Sequence, residues 1–389
     1  MKLGKGARAA IACLAAFALS VNGVAAQGTP FSVPPPALNS DEAGLWMIFE
    51  QAERDIKRSP LLIKDPALNA YVRTVVCKLA GPRCDEIRVY ILDIPLFNAS
   101  MAPNGMMHVW SGLLLRAENE AQLAFVLGHE LKHYTAKHSL ERWRSLRDTA
   151  NALSFFSLIA AGAGVGFVGM LAQLAALGSL FSYSRDQERE ADAGGLEAVT
   201  AAGYDVRAGA AIWQALLEEQ KANKDRRTPS LFTATHPSPE ERMKTLREAA
   251  EKLAASGVLG SSGEEPFRAA VRGHRTGWLE GELARGEYDE SLVVISRLLT
   301  VEPSSGELSY FQAEAYRRRA GEGDLERARD GYLRAIASGA AIPAAHRGLG
   351  LVAMKLGDKE TARRAFMTYL QLAPNADDRA MIEFYLRSL

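Results

Sequence analysis

Apolar residues recur at helical spacing along two stretches near the start of the chain. Over 41–58 and again over 65–80 they gather on one face, as Leu68, Tyr71, Val72, Val75, Val76 and Leu79 do, which predicts two amphipathic helices. The period drops to two in IRVYIL (87–92), a β-branched run that predicts a strand. FNASMAPNGMMHVWSGLL follows, and its Asn104-Gly105 pair between short apolar runs predicts a two-residue hairpin turn. Helical spacing returns over 119–138, 185–202 and 205–224, and once more after THPSPEERM.

SGVLGSSGEEP (256–266) interrupts this pattern and reads as a linker between two domains. Beyond it, small and bulky residues repeat. Ala328 and Tyr332, followed by Ala335, precede Ala362 and Phe366, followed by Pro374, at the 34-residue spacing of a tetratricopeptide unit, with Leu349, Gly350 and Gly357 between them. A weaker unit holds Gly286, Tyr288, Ser291 and Pro303. The expected fold is α+β and mainly α: a core with a small β-sheet (27–260), then an α-helical tetratricopeptide-like repeat domain (261–389).

Residues 1–26 carry Lys2, Lys5 and Arg8 ahead of an uncharged run ending in Val24, Ala25 and Ala26, the three-part pattern of a secretory signal peptide. Removing them leaves 43 basic against 46 acidic residues, so no global basic charge points to nucleic acid. Export would place Cys77 and Cys84 where a disulfide can persist, and the two are expected to pair.

The chemistry concentrates in LGHELKHYTAKH. His129, Glu130 and His133 form H-E-x-x-H; on a helix both imidazoles share one face, and Glu130 lies where it can take a proton from water. A catalytic zinc needs a third protein ligand. The candidates are carboxylates in SRDQEREAD, where Glu188 and Asp192 lie one helical turn apart and Glu190 points elsewhere. The other histidines have plainer assignments: His138 at the surface, His108 in the hairpin, His274 and His346 structural.

HExxH followed by ExxxD in the setting SRDQEREAD resembles the HtpX/BepA/CAAX-prenyl-protease family of HExxH zinc metallopeptidases. NASMAPNGMMHVWSGLL (98–114) is similar to that family's NAxxxPxG hairpin, and THPSPEER (235–242) to its THP segment. The resemblance covers roughly 45–250 and implies a zincin-like core with one Zn2+ per chain, held by His129, His133 and Glu188. Glu130 would be the general base, Asp192 would orient a ligand histidine, and His236 and Arg242 are offered for the tetrahedral oxyanion. His236 has a second reading as a fourth ligand that closes the site. The strand at Asn98, Ala99, Ser100 and Met101 would bind substrate by pairing with an extended peptide.

The resemblance further implies a periplasmic endopeptidase acting on misfolded or unassembled envelope proteins, with the repeats recruiting substrate or the outer-membrane assembly machinery. A chaperone or assembly adaptor with a latent peptidase core is the rival reading. Between the expected ligands, 149–184 is free of charge, and its span over 152–181 reads as a helical hairpin, packed on the protein or touching a membrane surface.

Overall fold

A computed structural model describes residues 36–37, 40–147, 182–223, 236 and 239–389. The expected leader (1–26) and the apolar span 152–181 lie outside the described residues. In chain order the elements are α1 (Asp41–Arg58), α2 (Pro66–Ala80), β1 (Arg88–Leu92), β2 (Ala99–Met101), β3 (Met106–Trp110), α3 (Ser111–Arg116), α4 (Glu120–Thr135) and α5 (His138–Arg147). They continue with α6 (Arg185–Ala201), α7 (Ala208–Ala222), α8 (Pro239–Ala255), α9 (Glu264–Val271), α10 (Arg275–Ala284) and α11 (Tyr288–Val301). The chain closes with α12 (Gly306–Arg319), α13 (Asp324–Ala337), α14 (Pro343–Lys355), α15 (Lys359–Leu372) and α16 (Arg379–Ser388). The fold is α+β and mainly helical, and among the described residues no helix is long and apolar enough to cross a membrane.

The three strands run in the order β1-β3-β2, so β2 forms one edge of the sheet. β1 and β3 are parallel, Arg88 opposite Met106 through Leu92 opposite Trp110; β2 and β3 are antiparallel, with Met101 opposite Met107. The hairpin turn is longer than the expected two residues. The Ala102 amide donates to the Met106 carbonyl and the Gly105 amide to the Ala102 carbonyl, closing a three-residue loop over Pro103-Asn104-Gly105. Pro103 supplies the fixed φ of a first turn residue, and Gly105 sits at φ 84°, the left-handed position that ends such a loop. A Cβ at Gly105 would also lie 2.2 Å from the Glu86 carbonyl oxygen.

α1 presents Leu45, Phe49, Ala52 and Ile56 to Leu92, Met106 and Trp110 of the sheet and to Leu140 and Trp143 of α5. Within that layer Glu53, 5% exposed, accepts two bonds from Arg88 at 2.7 Å each, one from the Tyr90 hydroxyl at 2.6 Å and one from Asn104 at 3.1 Å. One buried carboxylate thus ties helix, strand and hairpin turn together. On the opposite face of the sheet, Val72, Val75 and Val76 of α2 meet Phe125 and Leu127 of α4. Cys77, near the end of α2, is disulfide-bonded to Cys84 in the 3-10 turn that follows.

The stretch expected as a linker is built into the structure. Tyr204 bridges to Ser261, the Ala121 amide donates to the Ser262 carbonyl, and a Cβ at Gly260 would lie 2.1 Å from the Tyr204 oxygen. Its glycines serve close backbone approach and positive φ rather than slack. The main apolar core runs on past it through Phe267, Trp278, Ile295 and Phe311. Arg116 of α3, buried, joins Glu219 of α7 at 2.7 Å and Glu282 of α10 at 3.0 Å, and Arg297 of α11 reaches Glu219 at 2.7 Å. Farther along, small residues mark the crossings: a Cβ at Gly348 would meet the Tyr332 ring at 2.3 Å, and one at Gly350 the Phe366 ring at 2.5 Å.

Glu53 sets a pH dependence. Burial alone would raise its carboxyl, but Arg88 and Tyr90 hold it down to about 2 from an ordinary 4.5. A depressed folded value gives stability that is complete above pH 4.5 and lost as pH falls toward 2. Urea unfolding should show wild type losing roughly 1–2 kcal/mol more than Glu53→Gln over that window, after discounting for solvent screening. Parallel losses in the two proteins would contradict this.

Candidate metal centre

α4 begins at Asn119, whose side chain accepts from the Gln122 amide, and runs uninterrupted through His129, Glu130 and His133. α6 begins with a capping box between Ser184 and Gln187, which puts Glu188 in its first turn. A carboxylate is favoured there by the helix dipole. The two helices cross where glycines face each other. A Cβ at Gly195 would lie 3.1 Å from the His129 amide nitrogen, and one at Gly128 3.4 Å from the Gly195 Cα. That approach sets Glu188 and Asp192 beside the two histidines.

His129, His133, Glu188 and His236 are all buried, and each offers a donor atom within 4.8 Å of the others. His133 Nε2 and His129 Nε2 are 3.0 Å apart, His129 Nε2 and His236 Nδ1 3.4 Å, and His236 Nδ1 and Glu188 Oε1 2.9 Å. Glu188 Oε1 lies 3.5 Å from His133 Nε2 and Oε2 3.6 Å from His129 Nε2. Donors about 2.05 Å from a tetrahedral zinc are separated by about 3.3 Å, so this set has the dimensions of a shared cation shell.

The protonation states agree. Burial lowers the His129 and His133 imidazoles, leaving them neutral with lone pairs to give. Burial would raise Glu188, yet His236, His133 and Arg242 hold it far below the usual carboxylate range. The His236 ring is raised, the Glu188 carboxylate outweighing burial. Glu130 goes the other way: burial, reinforced by Glu188, pushes it up to about 7.

Asp192 Oδ1 accepts from His129 Nδ1 at 3.1 Å, which keeps His129 Nε2 free for the cluster. Arg242, expected near an oxyanion, lies beside both carboxylates. Its Nε and Nη2 donate to Asp192 at 2.7 and 2.6 Å, its Nη1 pairs with Glu188 Oε2 at 2.6 Å, and its guanidinium stacks 3.9 Å from the Trp213 ring. It bridges the two carboxylates, although Nη1 makes no aligned hydrogen bond of its own. Asn98 is half-buried, its carbonyl accepting from the Trp110 amide at 3.1 Å; the side chains of Ala99, Ser100 and Met101 are buried. Only backbone is available in β2 for a partner, and the Met101 backbone acts to lower the Glu130 carboxyl. A cavity of about 410 Å3 beside it is lined by Met101, Pro103, His133, Trp46 and Leu140.

Two neighbours had no such expectation. His138, assigned to the surface, is 2% exposed, and its Nδ1 lies 2.9 Å from His133 Nδ1. The reason is local: the helix predicted to run on to 138 ends at Thr135, and Lys137 at φ 59° turns the chain back. Tyr183 stacks on the His133 ring at 3.7 Å. The periodicity carried no signal of that left-handed break.

Among families of known proteins, the model of Peptidase family M48 matches residues 62–250. The chain is 26% identical over 228 residues to the beta-barrel assembly-enhancing protease of Escherichia coli K12, covering 56% of this chain and 46% of that protein. It is 31% identical over 203 residues to the mitochondrial metalloendopeptidase OMA1 of Bos taurus, covering 49% of this chain and 38% of that protein. With mitochondrial metalloendopeptidase OMA1 of Schizosaccharomyces pombe it shares 33% over 162 residues, covering 41% and 45% respectively. The matches therefore span less than half the length of these relatives.

The glycine crossing is testable. Gly195→Val must shift α6 against α4, and should cost roughly 1–3 kcal/mol in urea unfolding together with weaker divalent-metal binding in titration. Wild-type values in both measurements would refute the close-approach account.

Proposed function

We propose, from the match of residues 62–250 to the model of Peptidase family M48, that this protein is a zinc-dependent endopeptidase acting on misfolded or unassembled envelope proteins. The observation that carries the reading is the convergence of His129, His133 and Glu188 donors with the carboxyl of Glu130 beside them. Two imidazoles and one carboxylate suit zinc. A divalent cation there supplies Lewis acidity toward a carbonyl and makes water a stronger acid.

The protein's own groups do the rest. Glu130, buried and with its carboxyl pushed up to about 7, accepts a proton from water and passes it to the leaving amine. The β2 backbone holds an extended peptide by strand pairing, which tolerates many sequences, and the adjoining cavity receives a side chain. Asp192 and Arg242 keep His129 and Glu188 in register. Export through residues 1–26 would take the enzyme to the periplasm, and the similarity to the beta-barrel assembly-enhancing protease of Escherichia coli supports an envelope role. The helices beyond 261 are read as tetratricopeptide-like repeats that recruit substrate or the outer-membrane assembly machinery. Glu130→Gln keeps every donor of the cluster and removes the base. It should lower cleavage of an unfolded model protein at least a hundredfold, and equal cleavage by both proteins would favour the chaperone or adaptor reading.

One observation favours a second property of the same site. His236 Nδ1 stands among the donors, 2.9 Å from Glu188 and 3.4 Å from His129. As a fourth ligand it would fill the position a substrate needs and keep the peptidase latent. On that account His236→Ala raises proteolysis of the model substrate, whereas a plain fall assigns His236 to the oxyanion.

A further inference from the structure

We infer that His138 and Glu190 form a directed hydrogen-bond relay that fixes the His133 ring for metal ligation, making His138 a positioning residue of the centre. The inference rests on the metal-site reading above and extends it outward.

The cluster is approached by His133 Nε2, the atom that faces His129 and Glu188. A neutral imidazole that gives its Nε2 lone pair carries its proton on Nδ1. That proton points at His138 Nδ1, 2.9 Å away, which must then be an acceptor. His138 consequently bears its own proton on Nε2 and donates it to Glu190 Oε2 at 3.3 Å. Glu190 Oε1 in turn receives Lys132 Nζ at 2.9 Å. Every hydrogen in the chain has one direction, running from the buried ring to a carboxylate that is 51% exposed.

The two ligand histidines are thus oriented differently. His129 leans directly on Asp192, buried and clamped by Arg242. His133 reaches its carboxylate only through a second imidazole. The same turn clamps its face: Ser139 Oγ lies 2.9 Å from the hydroxyl of Tyr183, whose ring stacks on His133 with an interplanar angle of 15°. Lys137, in the left-handed region, brings both His138 and Ser139 back to the ring. A carboxylate that orients a ligand histidine commonly contributes 10–100-fold in metal affinity.

The test is Zn2+ affinity by chelator competition on the full chain, with circular dichroism to confirm folding, for wild type, His138→Leu and His138→Gln. Leucine removes the acceptor and should weaken zinc binding about 10–100-fold. Glutamine offers its amide oxygen to the same proton and should recover most of the loss. The visible bands of the Co2+-loaded protein should move in the leucine variant and return in the glutamine variant. Wild-type affinity in folded His138→Leu, or an equal loss in both variants, overturns the relay. Should His138→Leu fail to fold, Glu190→Ala at the exposed end decides: a loss of about threefold to tenfold supports the relay, and no loss overturns it. If wild type itself binds no zinc, the metal-site reading fails, a result distinct from an unaffected variant.

Discussion

Two helices distant in sequence share one ion only where their backbones come closer than side chains permit. Here α4 and α6 meet through Gly128 and Gly195, where a Cβ on the latter would lie only 3.1 Å from the His129 amide nitrogen. Everything chemical follows from that crossing. It sets the first turn of α6, with its carboxylate favoured by the helix dipole, against two imidazoles one turn apart on α4. The rest of the fold, from the α2 valines to Trp213 of α7, packs around the crossing.

Gathering Glu188, Asp192, Glu130 and three imidazoles in a buried space is electrostatically costly, and the network shows how the cost is met. Arg242 bridges Glu188 and Asp192 and rests on Trp213, so one cation stabilises both carboxylates, with its Nη2 also 3.4 Å from His129 Nε2. Glu130 has no such cation in hydrogen-bond contact and rises toward neutrality. Neighbouring carboxylates on adjoining helices therefore differ in kind: one permanently charged and suited to ligation, the other poised to exchange a proton. His138 and Glu190 extend the same logic to the second histidine by a longer route.

The C-terminal helices are not appended loosely. Arg116, Glu219, Glu282 and Arg297 make a buried ionic joint between α3, α7, α10 and α11, alongside a core that continues through Phe267 and Trp278. Removing one member would leave a buried charge unpaired, which makes such joints specific about geometry. α7 carries both Glu219 of this joint and Trp213 beneath Arg242, so one rigid element touches the helical array and the metal centre.

What the amino-acid order determined alone were features of short range. His129, Glu130 and His133 are spaced by a single helical turn, Glu188 and Asp192 by another, and the strand and helix periods of α1, α2, β1 and α4 were readable because backbone geometry repeats locally. Those periods sufficed for the α+β, mainly helical class. Tertiary structure decided whatever depended on approach between segments. The bridge from Arg242 to Asp192 and Glu188 is one such case, because its partners lie about 50 residues upstream and are legible only once α6 and α8 pack. His138 left the surface because one left-handed residue, Lys137, breaks a helix that periodicity would continue. The glycine-rich stretch near 260 is pinned against Tyr204 because its φ values and that contact, not its composition, set its course. Local spacing names the donors; only packing, which removes water and chooses neighbours, decides what each one does.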